Sequence, residues 1–185
     1  MKNKIKYCLI FFVAFLGTTV YAQDNTNMYS TANGVIQITA VIDDTTVVAQ
    51  GRELHVILNY ENAAVTLQLD LSTLTTGNTT LDSLLALQEG KFIVFTGALS
   101  LDYINTGDHP PQEFEVKGTL SCDPDHSQVE GEGILEHIYN GWYSSVLEMT
   151  FYINLSDIGI TPPVKGMSED IQVEISESIL NNKMD

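Results

Sequence analysis

The chain has 185 residues, with 24 acids against 8 bases and a formal charge of −16. A surface of that sign repels nucleic acid and anionic membrane, which excludes both as primary partners. With only Cys8 and Cys122, the composition also excludes a disulfide-dense scaffold.

In chain order, Lys2, Lys4 and Lys6 precede the apolar run Cys8 to Leu16, and Gly17 to Ala22 follow. This is the grammar of a secretory signal, with Val20 and Ala22 suited to peptidase and Gln23 as first mature residue. Residues 1–22 are read as signal peptide and residues 23–185 as one domain. The product is expected to be exported to the periplasm or the medium. The apolar run is too short for a membrane-spanning helix, and no later stretch qualifies. Removal of three lysines and no acid takes the charge from −16 to −19. Solubility outside the cell accounts for such a charge; calcium binding is the alternative it suggests. Cys122 alone survives processing, so burial and strand pairing must hold the fold.

Period-two alternation then dominates, the mark of strands with one buried face. Ile36, Ile38, Ala40 and Ile42 line one side of "GVIQITAVID", which ends at Asp43-Asp44. Leu54, Val56, Leu58 and Tyr60 line "LHVILNY", and Val65, Leu67, Leu69 and Leu71 line "VTLQLDL". The "ENA" between them is of hairpin length. The segment "TTLDSLLALQEG" has near-helical apolar spacing, with Thr80 placed to cap a short helix and Gly90 to end it.

Ile93, Phe95, Leu99, Leu101 and Tyr103 mark the next strand, with Gly97 inside it. Phe114, Val116 and Leu120 mark another. On "VEGEGILEHIY" the inward set is Val129, Gly131, Gly133, Leu135, His137 and Tyr139, opposite the acids Glu130, Glu132 and Glu136. Leu147, Met149, Phe151, Ile153 and Leu155 alternate next; Ile171, Val173 and Ile175 follow a Pro-Pro turn. About eight strands with one short helix describe an all-β protein, a sandwich or a closed antiparallel barrel.

No motif for nucleophilic, metal-dependent or redox catalysis is present. Cys122, Asp123, Asp125 and His126 are all possible ligands, but Asp-Pro-Asp is ordinary turn chemistry and lacks the spacing of a calcium loop. No catalytic residue, metal site or cofactor is assigned. Gly131 and Gly133 remove volume from an inward face. Two readings of them are open: room for a ligand in a barrel, or relief of strand coiling.

The order of these features resembles the YceI-like family of exported lipocalin-like barrels. "YSTANGVIQI" is similar to the family's opening Tyr, turn and first strand. In "HPPQEF", Pro110 and Phe114 keep a Tyr-Pro-x-x-x-Phe spacing, with His109 for the Tyr. Gly133, Leu135, Gly141 and Val146 follow a Gly-x-Leu … Gly-x-x-x-x-Val pattern, and "FYINLSDIGITPP" with "EDIQVEISES" resembles the closing strands. The chain departs at "LEHIYNG", two residues longer with Glu136 for Thr, and at Leu155-Ser156 where the family carries Arg.

The resemblance implies a lipocalin-like barrel that holds an apolar, lipid-like ligand (polyisoprenoid, quinone or fatty-acid-like) without catalysis. The residues expected along its lumen are Leu67, Leu69, Phe95, Leu99, Phe114, Val116, Gly133, Leu135, His137, Leu147, Met149, Phe151 and Ile153. The competing expectation is an exported protein- or glycan-interaction module with a filled core. It would use Trp142, Tyr143, Tyr152 and the "YINTGDHPPQ" segment as contact surface.

Overall fold

The computed structural model describes residues 27–104, 110–122, 125–139 and 143–182. Residues 1–22, read above as a signal peptide, and His109, Asp123, Gly141 and Trp142 lie outside these residues. Eight strands run β1 Met28–Ile42, β2 Thr45–Asn59, β3 Ala64–Asp70, β4 Phe92–Leu99, β5 Gln112–Cys122, β6 Asp125–Tyr139, β7 Tyr143–Asn154 and β8 Asp170–Asn181. Each pairs antiparallel with the next, and β1 pairs with β8, so the sheet closes into a barrel. Closure leaves no edge strand, which suits a fold with no disulfide among its described residues.

The barrel is apolar inside and charged outside. Leu54, Val56, Leu58, Val65, Val116, Leu135 and Leu147 are fully buried, while Glu113, Glu115, Glu130, Glu132, Glu136 and Glu148 are exposed. A membrane-spanning barrel has the opposite arrangement. Among the described residues no helix is long and apolar enough to cross a membrane.

Single-residue bulges change which residues face inward. In β1 the buried positions are Tyr29 and then Gly34, Ile36 and Ala40; in β2 they are Gly51 and then Leu54, Val56 and Leu58. Register shifts between Thr31 and Gly34, and between Gly34 and Ile36, fall at those changes of parity. In β8, Val173 and Ile175 face inward before Ser178 and Leu180 do, and Glu177 between them has φ 49°. An extra residue necessarily flips every later side chain to the other face.

The helix α1 spans Thr79–Ala86. Its cap is Asn78, not Thr80: the Asn78 side chain accepts from the N–H of Thr80 and Leu81 at 3.0 and 3.2 Å. It also stops short of Gly90, whose φ of 77° belongs to the turn into β4. A 3-10 turn, Leu71–Thr73, precedes it and another, Ser156–Ile158, follows β7. Both lie at the end of the barrel where β3 finishes and β4 starts. The other end carries the β2–β3, β4–β5 and β6–β7 connections.

Candidate functional site

The glycines read as possible ligand space are covered by aromatic rings. A Cβ on Gly133 would lie 2.6 Å from the Phe114 ring and against the Glu148 carbonyl; one on Gly131 would lie 2.6 Å from Phe151. Phe95 covers the paired Gly97 and Gly118 in the same way. Glycine and phenylalanine on adjacent strands thus interlock across the barrel's middle, letting the sheet coil tightly while filling its interior. Phe95 and Phe151 meet with centroids 5.2 Å apart and planes tilted by 60°, within the separation at which aromatic pairs attract.

Beyond the rings the interior divides. Toward the β2–β3 end the described residues pack tightly around a few polar groups. Tyr29 and Tyr60 stack with centroids 3.8 Å apart, and the Tyr60 hydroxyl donates to Ser145 Oγ at 2.7 Å. His137 meets the Tyr60 ring edge-on at 5.7 Å. Burial pushes the Tyr60 phenol well above its usual range, opposed by the bond to Ser145. Ser145 and Leu180 are fully buried, and Ile104 and Ala63 complete the packing.

Toward the α1 end lies a cavity of about 90 Å³ lined entirely by aliphatic side chains and two phenylalanines. Ile36, Leu54, Leu67, Leu69, Phe95, Leu120, Val129, Phe151, Ile153, Val173 and Ile175 form its wall. Leu155, Ile158 and Ile160 cross its end from the second 3-10 turn. Ile38, Ile93, Ile160 and Ile171 are partly exposed, whereas Leu54, Phe95 and Ile175, deeper in, are buried. The cavity therefore opens at the α1 end. It contains no acid, base or nucleophile; what it can hold is hydrocarbon.

Of the thirteen residues expected along the lumen, Leu67, Leu69, Phe95, Phe151 and Ile153 line this cavity. Leu99, Phe114, Val116, Leu135, Leu147 and Met149 are buried in the filled part of the interior. Gly133 lies beneath Phe114, and His137 stands at the polar end. Alternation within Ile36–Ile38 and Ile171–Ile175 marks inward faces, and these residues complete the wall at the cavity's end beyond the five expected there. Ile158 and Ile160 carry no strand periodicity and could be placed only by the turn that folds them over the opening.

A second concavity, about 760 Å³, lies on the outer face over Phe114 and Gly133 and is lined by Glu113, Glu115, Glu132, Glu148 and Glu174. Its size does not make it the apolar site, since it is open and edged with like charges. Among the described residues no three His, Cys, Asp or Glu side chains converge to hold a metal. Asp125 and His126 start β6, with Cys122 ending β5 across the hairpin.

No family model and no curated protein matches the chain. Solved structures do. A polyisoprenoid-binding domain from Saccharophagus degradans implicated in plant cell wall breakdown matches with a TM-score of 0.61 at 9% identity, over 83% of this chain and 96% of that one. BcnA from Burkholderia cenocepacia matches with a TM-score of 0.54 at 13% identity, over 78% of this chain and 94% of that one. The likeness is one of fold: this chain is built as the lipocalin-like barrel that the YceI-like resemblance implied.

Proposed function

We propose that the protein is a non-catalytic binding protein that takes the hydrocarbon part of an apolar molecule into the α1 end of its barrel, after export through its N-terminal signal. The observation that carries this is a cavity with an opening and no polar side chain in its wall. The polyisoprenoid binding of the similarly folded S. degradans domain supports the same reading. Each methylene moved from water into such a site contributes about 0.8 kcal/mol, so a tail needs few polar contacts.

Size restricts the ligand. An apolar cavity of roughly 150 Å³ takes one benzene, so 90 Å³ takes only the leading carbons of a chain. A long tail enters only if Phe95 and Phe151 turn aside. The filled-core interaction module draws its support from this same small volume, and from exposed Tyr152 on β7.

Mass spectrometry of protein purified gently from its producing host tests the choice. A discrete added mass under native conditions, lost on denaturation and recovered in organic extract, supports the carrier. A clean unliganded mass, with no uptake when tails are supplied, supports the module.

A further inference from the structure

We infer that the opening of the cavity selects ligands by head-group charge, admitting tails with neutral or cationic heads and rejecting carboxylates and phosphates. The inference rests on the binding reading above and narrows its ligand class to alcohols, quinone-like carbonyl compounds or amines.

Because the cavity wall is wholly apolar, a head group has no partner inside and must stay at the opening. The carboxylates there flank the lining residues themselves. Asp70 follows Leu69, Asp157 precedes Ile158 and Asp170 precedes Ile171. Asp125 packs on Gly159, between Ile158 and Ile160, so closely that a Cβ there would lie 2.8 Å from its carboxyl carbon. A wider ring follows from the turns at the same end: Asp43 and Asp44 between β1 and β2, Asp82 and Glu89 between β3 and β4, and Glu169 before β8. Among the described residues the basic side chains nearest this end are Lys91 and Lys165, with Arg52 beside Gly51, which packs on Leu74, and His126 beside Asp125.

These charges are held. Asp70 Oδ1 accepts from the N–H and hydroxyl of Ser72 at 2.9 and 2.8 Å, and Asp82 Oδ1 from those of Thr76 at 2.6 and 2.7 Å. Bonding to the ionised form lowers both pKa values. An anion brought to the opening meets several carboxylates at once, whereas an ammonium is attracted and a hydroxyl is indifferent.

The test uses four ligands with one tail: dodecanol, dodecylamine, dodecanoate and dodecyl phosphate. Their affinities for the signal-free chain are measured by calorimetry, at about 0.01 M and about 0.15 M ionic strength, where the Debye length falls from about 30 to about 8 Å. The two anions are expected to bind at least about tenfold more weakly than dodecanol at low salt, with a smaller gap at high salt. Reversing two exposed rim acids, D157K with E169K, should close most of the gap. Reversing Glu113 and Glu136 on the outer face toward the other end, the same change in net charge, should leave most of it. Equal binding of all four ligands, or equal rescue by both double variants, overturns the selection while leaving the cavity reading intact. Failure of dodecanol and dodecylamine to bind sinks that reading and this inference with it.

Discussion

The two ends of the barrel interior are built on opposite principles. At the tyrosine end, directional contacts set the geometry: a tyrosine stack, a hydroxyl bonded to Ser145, and His137 perpendicular to the Tyr60 ring. At the open end, aliphatic side chains surround a space they do not fill. Hydrogen bonds and ring contacts specify a single arrangement, while apolar packing of this kind accepts substitution and rearrangement more readily. The open end is therefore the one that can yield to a ligand, while the tyrosine end keeps the barrel in register.

Substitutions can break this contrast, beginning with the largest effect. Phe151→Ala removes a cavity wall and the ring over Gly131; it should cost about 3–4 kcal/mol in urea unfolding while raising uptake of an apolar fluorophore such as 1-aminoanthracene. Loss of both stability and uptake would mean that the open end is ordinary core. Gly133→Leu forces a side chain into Phe114 and the Glu148 carbonyl. About 3 kcal/mol of destabilisation is expected, so this position reports on packing rather than on ligand space.

Tyr60→Phe keeps the stack but strands the buried Ser145 hydroxyl, for about 1–2 kcal/mol, with uptake unchanged. It also separates the ends by pH. The folded phenol holds its proton above its ordinary pKa near 10.0. Stability is therefore complete below that value and falls as pH rises beyond it, because the unfolded chain releases the proton first. The variant should lose that part of the alkaline decline; an identical decline in both proteins would assign it to other groups. The smallest effect is expected outside the packed interior, in a turn at the α1 end. Asp43 and Asp44 form the two-residue β1–β2 turn with φ of 45° and 63°, a conformation that favours glycine. Asp44→Gly should gain about 0.5 kcal/mol, read from the urea midpoint.

Much of the fold was legible because each strand buries one face. β7 alternates without interruption from Ser145 to Ile153, and its inward residues are those its pattern names. Legibility fails at bulges. Ile171, Val173 and Ile175 show the inward face of β8, but the bulge at Glu177 hands it to Ser178 and Leu180, and nothing in "SESIL" announces the switch. The first half of β2 was likewise missed, since its inward Gly51 and later inward Leu54 differ in parity. The site was less legible still. Inward residues that leave a gap look the same in sequence as those that fill one. Whether Gly131 and Gly133 make room depends on the rings of Phe151 and Phe114 reaching them from neighbouring strands.

The most direct test of the division follows isoleucine methyl and tyrosine ring signals by NMR while dodecanol is added to the chain from Gln23 onward. Saturable shifts are expected at Ile38, Ile93 and Ile171 around the opening, with Tyr29 and Tyr60 unmoved. Shifts centred on the tyrosines, or confined to outward residues such as Ile134 and Ile179, would contradict that division.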